Sequence, residues 1–254
     1  MKNLIYLSIF VVAMISITGF ASHNAYAASS YELQVGDTNH NCGAIGGTFS
    51  SNTCTVATSF TLNSGDFLKI DSGVTLSITG SIQNSGNISN LGSITYNTIT
   101  NNNGGNFNNN GTVTTNTFFS NFYNNGTVNN NGPSGIIKGT RGSVFYNFNA
   151  GTINNSGTMT DVKSDSVTVY NYHIINNNSG GKITNYFHFV NEPGATINNN
   201  IQATINNNFI FYQQGTVTNN GTFSNHGDVT GYCGATFNNV NIYIGKFPDT
   251  PTGC

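Results

Sequence analysis

From Gly80 onward the chain places one apolar residue every six positions in a background of Asn, Gly, Thr and Ser, and that beat limits the folds open to it. The run GSIQNS, GNISNL, GSITYN carries Ile82, Ile88 and Ile94 in step. The same unit, Gly-x-apolar-x-Asn-x, returns in NFYNNGTVNNNG with Phe122 and Val128, in AGTINNSGTMT with Ile153 and Met159, and in QGTVTNNGTFSNHGDVT with Val217, Phe223 and Val229. A helix has no use for this period: its buried stripe needs apolar residues at i, i+3 and i+4, and Asn, Gly and Thr are weak helix formers. Strands do. Side chains alternate faces along a strand, so within Gly-Thr-Val-x-Asn the Gly, Val and Asn share one face and Thr takes the other. The apolar residue turns inward, and Gly allows the bend into the next strand. Asn suits the bends too, so NNG after Phe122 and Tyr123 reads as one. Stacked on its like in neighbouring coils, Asn also forms side-chain amide ladders. The chain therefore reads as all-β: a single-chain parallel β-solenoid in which each coil buries its face against its neighbours.

The beat breaks at Thr115 to Phe119, at Pro133 to Phe148 and at Asp161 to Tyr172. A left-handed hexapeptide helix wants three near-exact hexads per coil. Coils of variable length point to a right-handed β-helix, with the left-handed form as the alternative. Solenoid ends expose sheet edges and need caps, and the ends of this chain differ from its middle. Residues 1–27 have the basic start, apolar run and Ala25-Tyr26-Ala27 of a secretory signal peptide. Residues 28–58 read as an N-terminal cap, 59–230 as the Asn/Gly-rich repeats and 231–254 as a C-terminal cap. Four cysteines lie in the exported part, an even count that suits a disulfide framework. The pairing Cys42–Cys54 and Cys233–Cys254 closes two short local loops, the first as part of a hairpin. No C-x-x-C pair suggests a metal.

Charge sets further bounds. Only 6% of residues are charged and the net charge is −2, which leaves neither a nucleic-acid footprint nor a polybasic membrane patch. No second apolar run follows the signal peptide to span a membrane. Disorder is equally ill-fitting, since 12% of residues are aromatic and only four are proline.

The repeats resemble the hexapeptide and right-handed β-helix families, among them the Asn/Gly-rich arrays of secreted adhesin-like proteins. The opening Cys42-x-x-Ile45-Gly46-Gly47-Thr48-Phe49…Cys54 resembles the N-terminus of secreted archaeal repeat proteins carrying such arrays. The resemblance implies a secreted, non-enzymatic structural or adhesin-like module of the cell surface or matrix. Such a module has no cofactor, and its partners are surface glycans, other surface proteins or further copies of itself. Pectate-lyase-like enzymes share the architecture, so a carbohydrate-active lyase or glycosidase is the alternative, and fold alone does not decide between them.

Four sets of residues are candidates for chemistry. Lys138, Arg141, Asp161, Lys163 and Asp165 concentrate charge where the beat breaks and would form a charged loop patch if the coils stack them. The remaining acids, Asp66 and Asp71 among them, read as turn chemistry. Aromatic doublets such as Phe122-Tyr123, Phe145-Tyr146 and Phe211-Tyr212 put one ring inward and one outward, and an outward file would offer a platform for sugar rings or a protein. Asn87, Asn110, Asn125, Asn154, Asn177 and Asn220 stand in Asn-x-Ser/Thr sequons for outer-face glycans. A third function, ice binding, would need Thr112, Thr127, Thr152, Thr158, Thr216 and Thr222 in flat outward columns. Their irregular separations argue against it.

Overall fold

The computed structural model describes residues 27–37, 39–140, 142–161 and 166–249. It is a parallel β-solenoid of about nine coils, nearly without helix. Each coil has three faces, and a regular coil is three four-residue strands joined by two-residue corners. Face A runs through Asn87–Asn90, Asn106–Asn109, Thr127–Asn130 and onward to Thr236–Asn239. Face B includes Thr112–Thr115, Ile136–Gly139 and Thr158–Asp161. Face C includes Asn121–Asn124, Val144–Asn147 and Thr168–Asn171. The six-residue beat is the step from one face to the next: Ile82, Ile88 and Ile94 lie on faces C, A and B in succession. Phe122 and Val128 plug the core from faces C and A, both fully buried.

Irregular beat means extra corner residues, not lost register. Thr204 pairs with Thr222, eighteen residues on and therefore three hexads, whereas Thr127 pairs with Thr152, twenty-five on. In both cases the four strand positions match one for one. The B–C corners of three successive coils are enlarged, between Thr115 and Asn121, Gly139 and Val144, and Asp161 and Thr168. These are the breaks in the sequence.

Along each strand the second residue is apolar and the fourth is usually Asn, and both point inward. The inward Asn side chains form continuous ladders. On face A, Asn90, Asn109, Asn130, Asn155, Asn177, Asn199, Asn219 and Asn239 are joined amide to carbonyl at 2.6–2.8 Å. On face C, Asn84, Asn101, Asn124, Asn147, Asn171, Asn191 and Gln213 repeat this at 2.7–3.1 Å. Face B holds a shorter file, Asn185, Asn207 and Asn225. The second amide hydrogen goes to a backbone carbonyl, as from Asn130 to Thr158 at 3.1 Å. Buried amides are costly unless bonded, and the coil spacing bonds each one to the next. Asn124 thus ends a strand rather than opening a bend; only Asn125 and Gly126 make the corner. Gly126 is required by close approach, since a Cβ there would lie 2.3 Å from the Gly105 carbonyl oxygen.

At the N-terminal end Ser30–Leu33 lies in parallel on Phe67–Ile70. The helix His40–Ala44 carries Cys42, and its disulfide reaches Cys54 in the hairpin of Thr48–Ser50 and Thr53–Val56. Cys42 therefore anchors a helix to the hairpin instead of belonging to it. At the other end Thr236–Asn239 and Ile242–Gly245 continue faces A and B, so coils extend into the segment expected as a cap. Cys254, the expected partner of Cys233, and residues 1–26 of the expected signal peptide lie outside the described residues.

Candidate functional site

The three outward faces differ because the first and third residues of every strand, which point out, differ between faces. On face C the third position brings Tyr123, Tyr146 and Tyr170 into one file. Their rings are nearly parallel, with centroids 5.3 and 5.2 Å apart. Phe148 and Tyr172, at the following corners, form a second file beside it: Phe148 lies 5.5 Å from Tyr146 and 6.0 Å from Tyr172. All five rings are half-buried. Tyr-Asn-Phe at 146–148 and Tyr-Asn-Tyr at 170–172 are the signature, an outward ring on each side of an inward ladder Asn. The second lies where the beat breaks, which hid Tyr170 and Tyr172 from the periodicity.

Stacking along the axis turns the ring faces toward one another. The file therefore presents edges and hydroxyls to solvent, forming a ridge rather than the face-on platform that sugar stacking wants. Burial raises the Tyr146 hydroxyl above its ordinary pKa, and Tyr170 and Tyr123 add to the rise, since neighbouring phenolates would repel. Tyr172 is raised by burial and by Glu192. Further along, His188 lies among Phe187, Phe209 and Tyr212, with ring centroids at 4.0, 5.7 and 5.6 Å, and burial lowers its pKa.

Of the charged candidates, Lys138 and Asp161 point to opposite sides of their sheet. Lys138 is exposed on face B, where its strand neighbours are Thr114 and Thr160. Asp161 points inward at the head of the face B ladder, 7% exposed, and its carboxylate accepts from the Tyr186 N–H at 2.8 and 2.9 Å. No ion pair among the described residues joins the two. Arg141, Lys163 and Asp165 lie outside the described residues. Tyr96, Ile137, Met159 and Asp161 help line a cavity of about 40 Å³, enough for water but not for a sugar ring. Asp66 accepts the N–H groups of Ser29 and Asn63, and Asp71 pairs with Lys69, which also reaches Glu32. Among the described residues no three His, Cys, Asp or Glu side chains group to hold a metal, and no helix is long and apolar enough to cross a membrane.

Of the sequon residues, Asn177 is fully buried in the face A ladder, which leaves no room for a glycan. Asn87 and Asn154 point outward from face A, and Asn110, Asn125 and Asn220 stand at corners. The threonines align despite their irregular separations: Thr127, Thr152 and Thr216 share the first-position file of face A, and Thr112, Thr158 and Thr222 that of face B. Comparison with protein-family models, curated sequences and solved structures gives no match.

Proposed function

We propose that this chain is a secreted, non-enzymatic surface or matrix protein that acts in an adhesin-like way, holding an extended glycan along the aromatic ridge of face C. The observation that carries this reading is the file Tyr123–Tyr146–Tyr170 with Phe148 and Tyr172 beside it. Nothing in the core requires aromatic rings on the outside of these coils, where Thr or Asn serve elsewhere. A ridge of ring edges and hydroxyls that repeats with the coils suits a partner that is itself a repeating polymer. Apolar edges contact the flat sides of the chain, and the hydroxyls exchange hydrogen bonds with it. The ladders supply stiffness, so the contacts form without ordering the protein first.

The test is binding of the folded chain to a panel of insoluble and soluble polysaccharides, with release of new reducing or unsaturated ends followed in parallel. Binding without turnover, lost in a Tyr123→Ser/Tyr146→Ser/Tyr170→Ser variant that still unfolds cooperatively, is the expected result. Turnover would replace this reading with a carbohydrate-active enzyme. Unchanged binding by the variant would move the contact off the ridge, and capture of a protein but no glycan would change the partner.

A further inference from the structure

Face A is built unlike the other two. From Asn87 to Asn238 its outward positions hold no charged residue and no ring, whereas face B carries Lys138 and Lys182, and face C carries the ridge, His188 and Asp228. Its first-position file reads Thr127, Thr152, Thr196, Thr216 and Thr236, interrupted by Ile174 alone. Its third-position file holds Asn108, Asn129, Asn154, Asn176 and Asn198, joined side chain to side chain at 2.8–3.0 Å. With the inward ladder from Asn90 to Asn239, this one sheet has an amide ladder on both sides. Side-chain ladders and strict register are what keep a sheet of many strands from twisting.

The result is a two-dimensional array of hydrogen-bonding groups on one face. It repeats about every 4.8 Å from coil to coil and about every 6.6 Å between Thr and Asn along a strand. Threonine is stiff at χ1, and the Asn amides are tied to one another, so the polar atoms are positioned before anything binds. A neutral face of short outward side chains, mostly Thr and Asn, has little means of enclosing a small solute. What it complements is a solid whose surface repeats oxygen atoms on the same scale, with the Thr methyl groups seated between them. We propose that face A binds ice. The irregular separations of these threonines in the chain are no objection, because the extra residues are all in corners.

The experiment is partitioning of the folded chain into slowly grown ice, with thermal hysteresis measured on the same material. Thr152→Tyr/Thr196→Tyr roughens face A, and Thr158→Tyr/Thr204→Tyr alters the outward Thr file of face B in the same coils. Tyrosine suits exposed strand positions, so the fold should survive both changes. The expected result is that the wild-type chain and the face B variant enrich in ice and the face A variant is excluded. Exclusion of the wild-type chain overturns the proposal without need of any variant. So does equal loss in both variants with unfolding unchanged. The ridge lies on face C, so glycan binding by the face A variant reports separately on the adhesin-like reading.

Discussion

The side-chain amide of Asn130 donates to Asn155 Oδ1 at 2.8 Å, and Asn155 in turn donates to Asn177 at 2.8 Å, all three fully buried. Each carboxamide is thus at once a partner for the coil below and for the coil above. Removing one leaves a donor and an acceptor stranded in the core.

Asn155→Ala is therefore expected to destabilise the chain by about 2–4 kcal/mol, because a buried polar group without its partner bears its full desolvation cost. Asn154→Ala removes an outward amide whose neighbours can turn to water, and should cost less than about 1 kcal/mol. Chemical denaturation of the two variants makes the comparison. Equal costs would mean that the inward ladder contributes no more than the surface one.

Glycines at corners and in inserted turns serve different needs. A Cβ on Gly126 would meet the Gly105 oxygen at 2.3 Å, whereas Gly104, with φ 84°, has nothing within 4 Å. Gly126→Ala must force neighbouring coils apart and is expected to cost about 3 kcal/mol or more. Gly104→Ala meets only the left-handed backbone penalty, about 1–2 kcal/mol. Melting temperatures of the pair check the order.

Stability should fall as the solution becomes alkaline. Burial raises Tyr243 to about 12 and moves Tyr146 and Tyr172 upward as well. The folded chain then keeps these protons at a pH where the unfolded chain has lost them. The native advantage is whole below the ordinary tyrosine pKa of about 10 and is lost progressively above it. Thermal unfolding followed across that range tests the slope, and Tyr146→Phe should lessen it.

Cys42 and Cys54 are twelve residues apart, and the bond joins the helix to the hairpin at the N-terminal end. A loop of that length corresponds to about 3 kcal/mol of stabilisation on the chain-entropy model. Cys42→Ser/Cys54→Ser should lower stability by about that much. Hydrogen exchange should rise first in the coils next to Thr53–Val56, and a uniform rise along the rod would contradict this.

The strand, the inward triad of Gly126, Val128 and Asn130, and the amide ladder were all legible in the repeat, because period two along a strand and period six along the chain are local properties. The breaks are not a local property. Read along the chain, Thr115 to Phe119 and Asp161 to Tyr172 look like interruptions of the pattern, and the threonine spacings look irregular. In three dimensions a corner absorbs extra residues without moving the strands it joins, so Thr127 still lies beneath Thr152. The charge at Lys138 and Asp161 divides between the two sides of the sheet. Adjacent coils bring the two strands together, yet alternation sends one side chain out and the other in. The ring stacking of Tyr146 on Tyr170 depends on side-chain angles, which no spacing in the chain specifies.

Unbroken amide ladders hold the coils in one register and so make the outward files periodic. Exchange of the Asn side-chain amide hydrogens, residue by residue, tests this most directly. Asn109, Asn130, Asn155, Asn177 and Asn199 should exchange as slowly as the backbone amides of their own strands, and far more slowly than the outward Asn154 and Asn176. If the inward amides exchange at the rate of the outward ones, the ladders are not continuous, and the periodic faces argued from them lose their support.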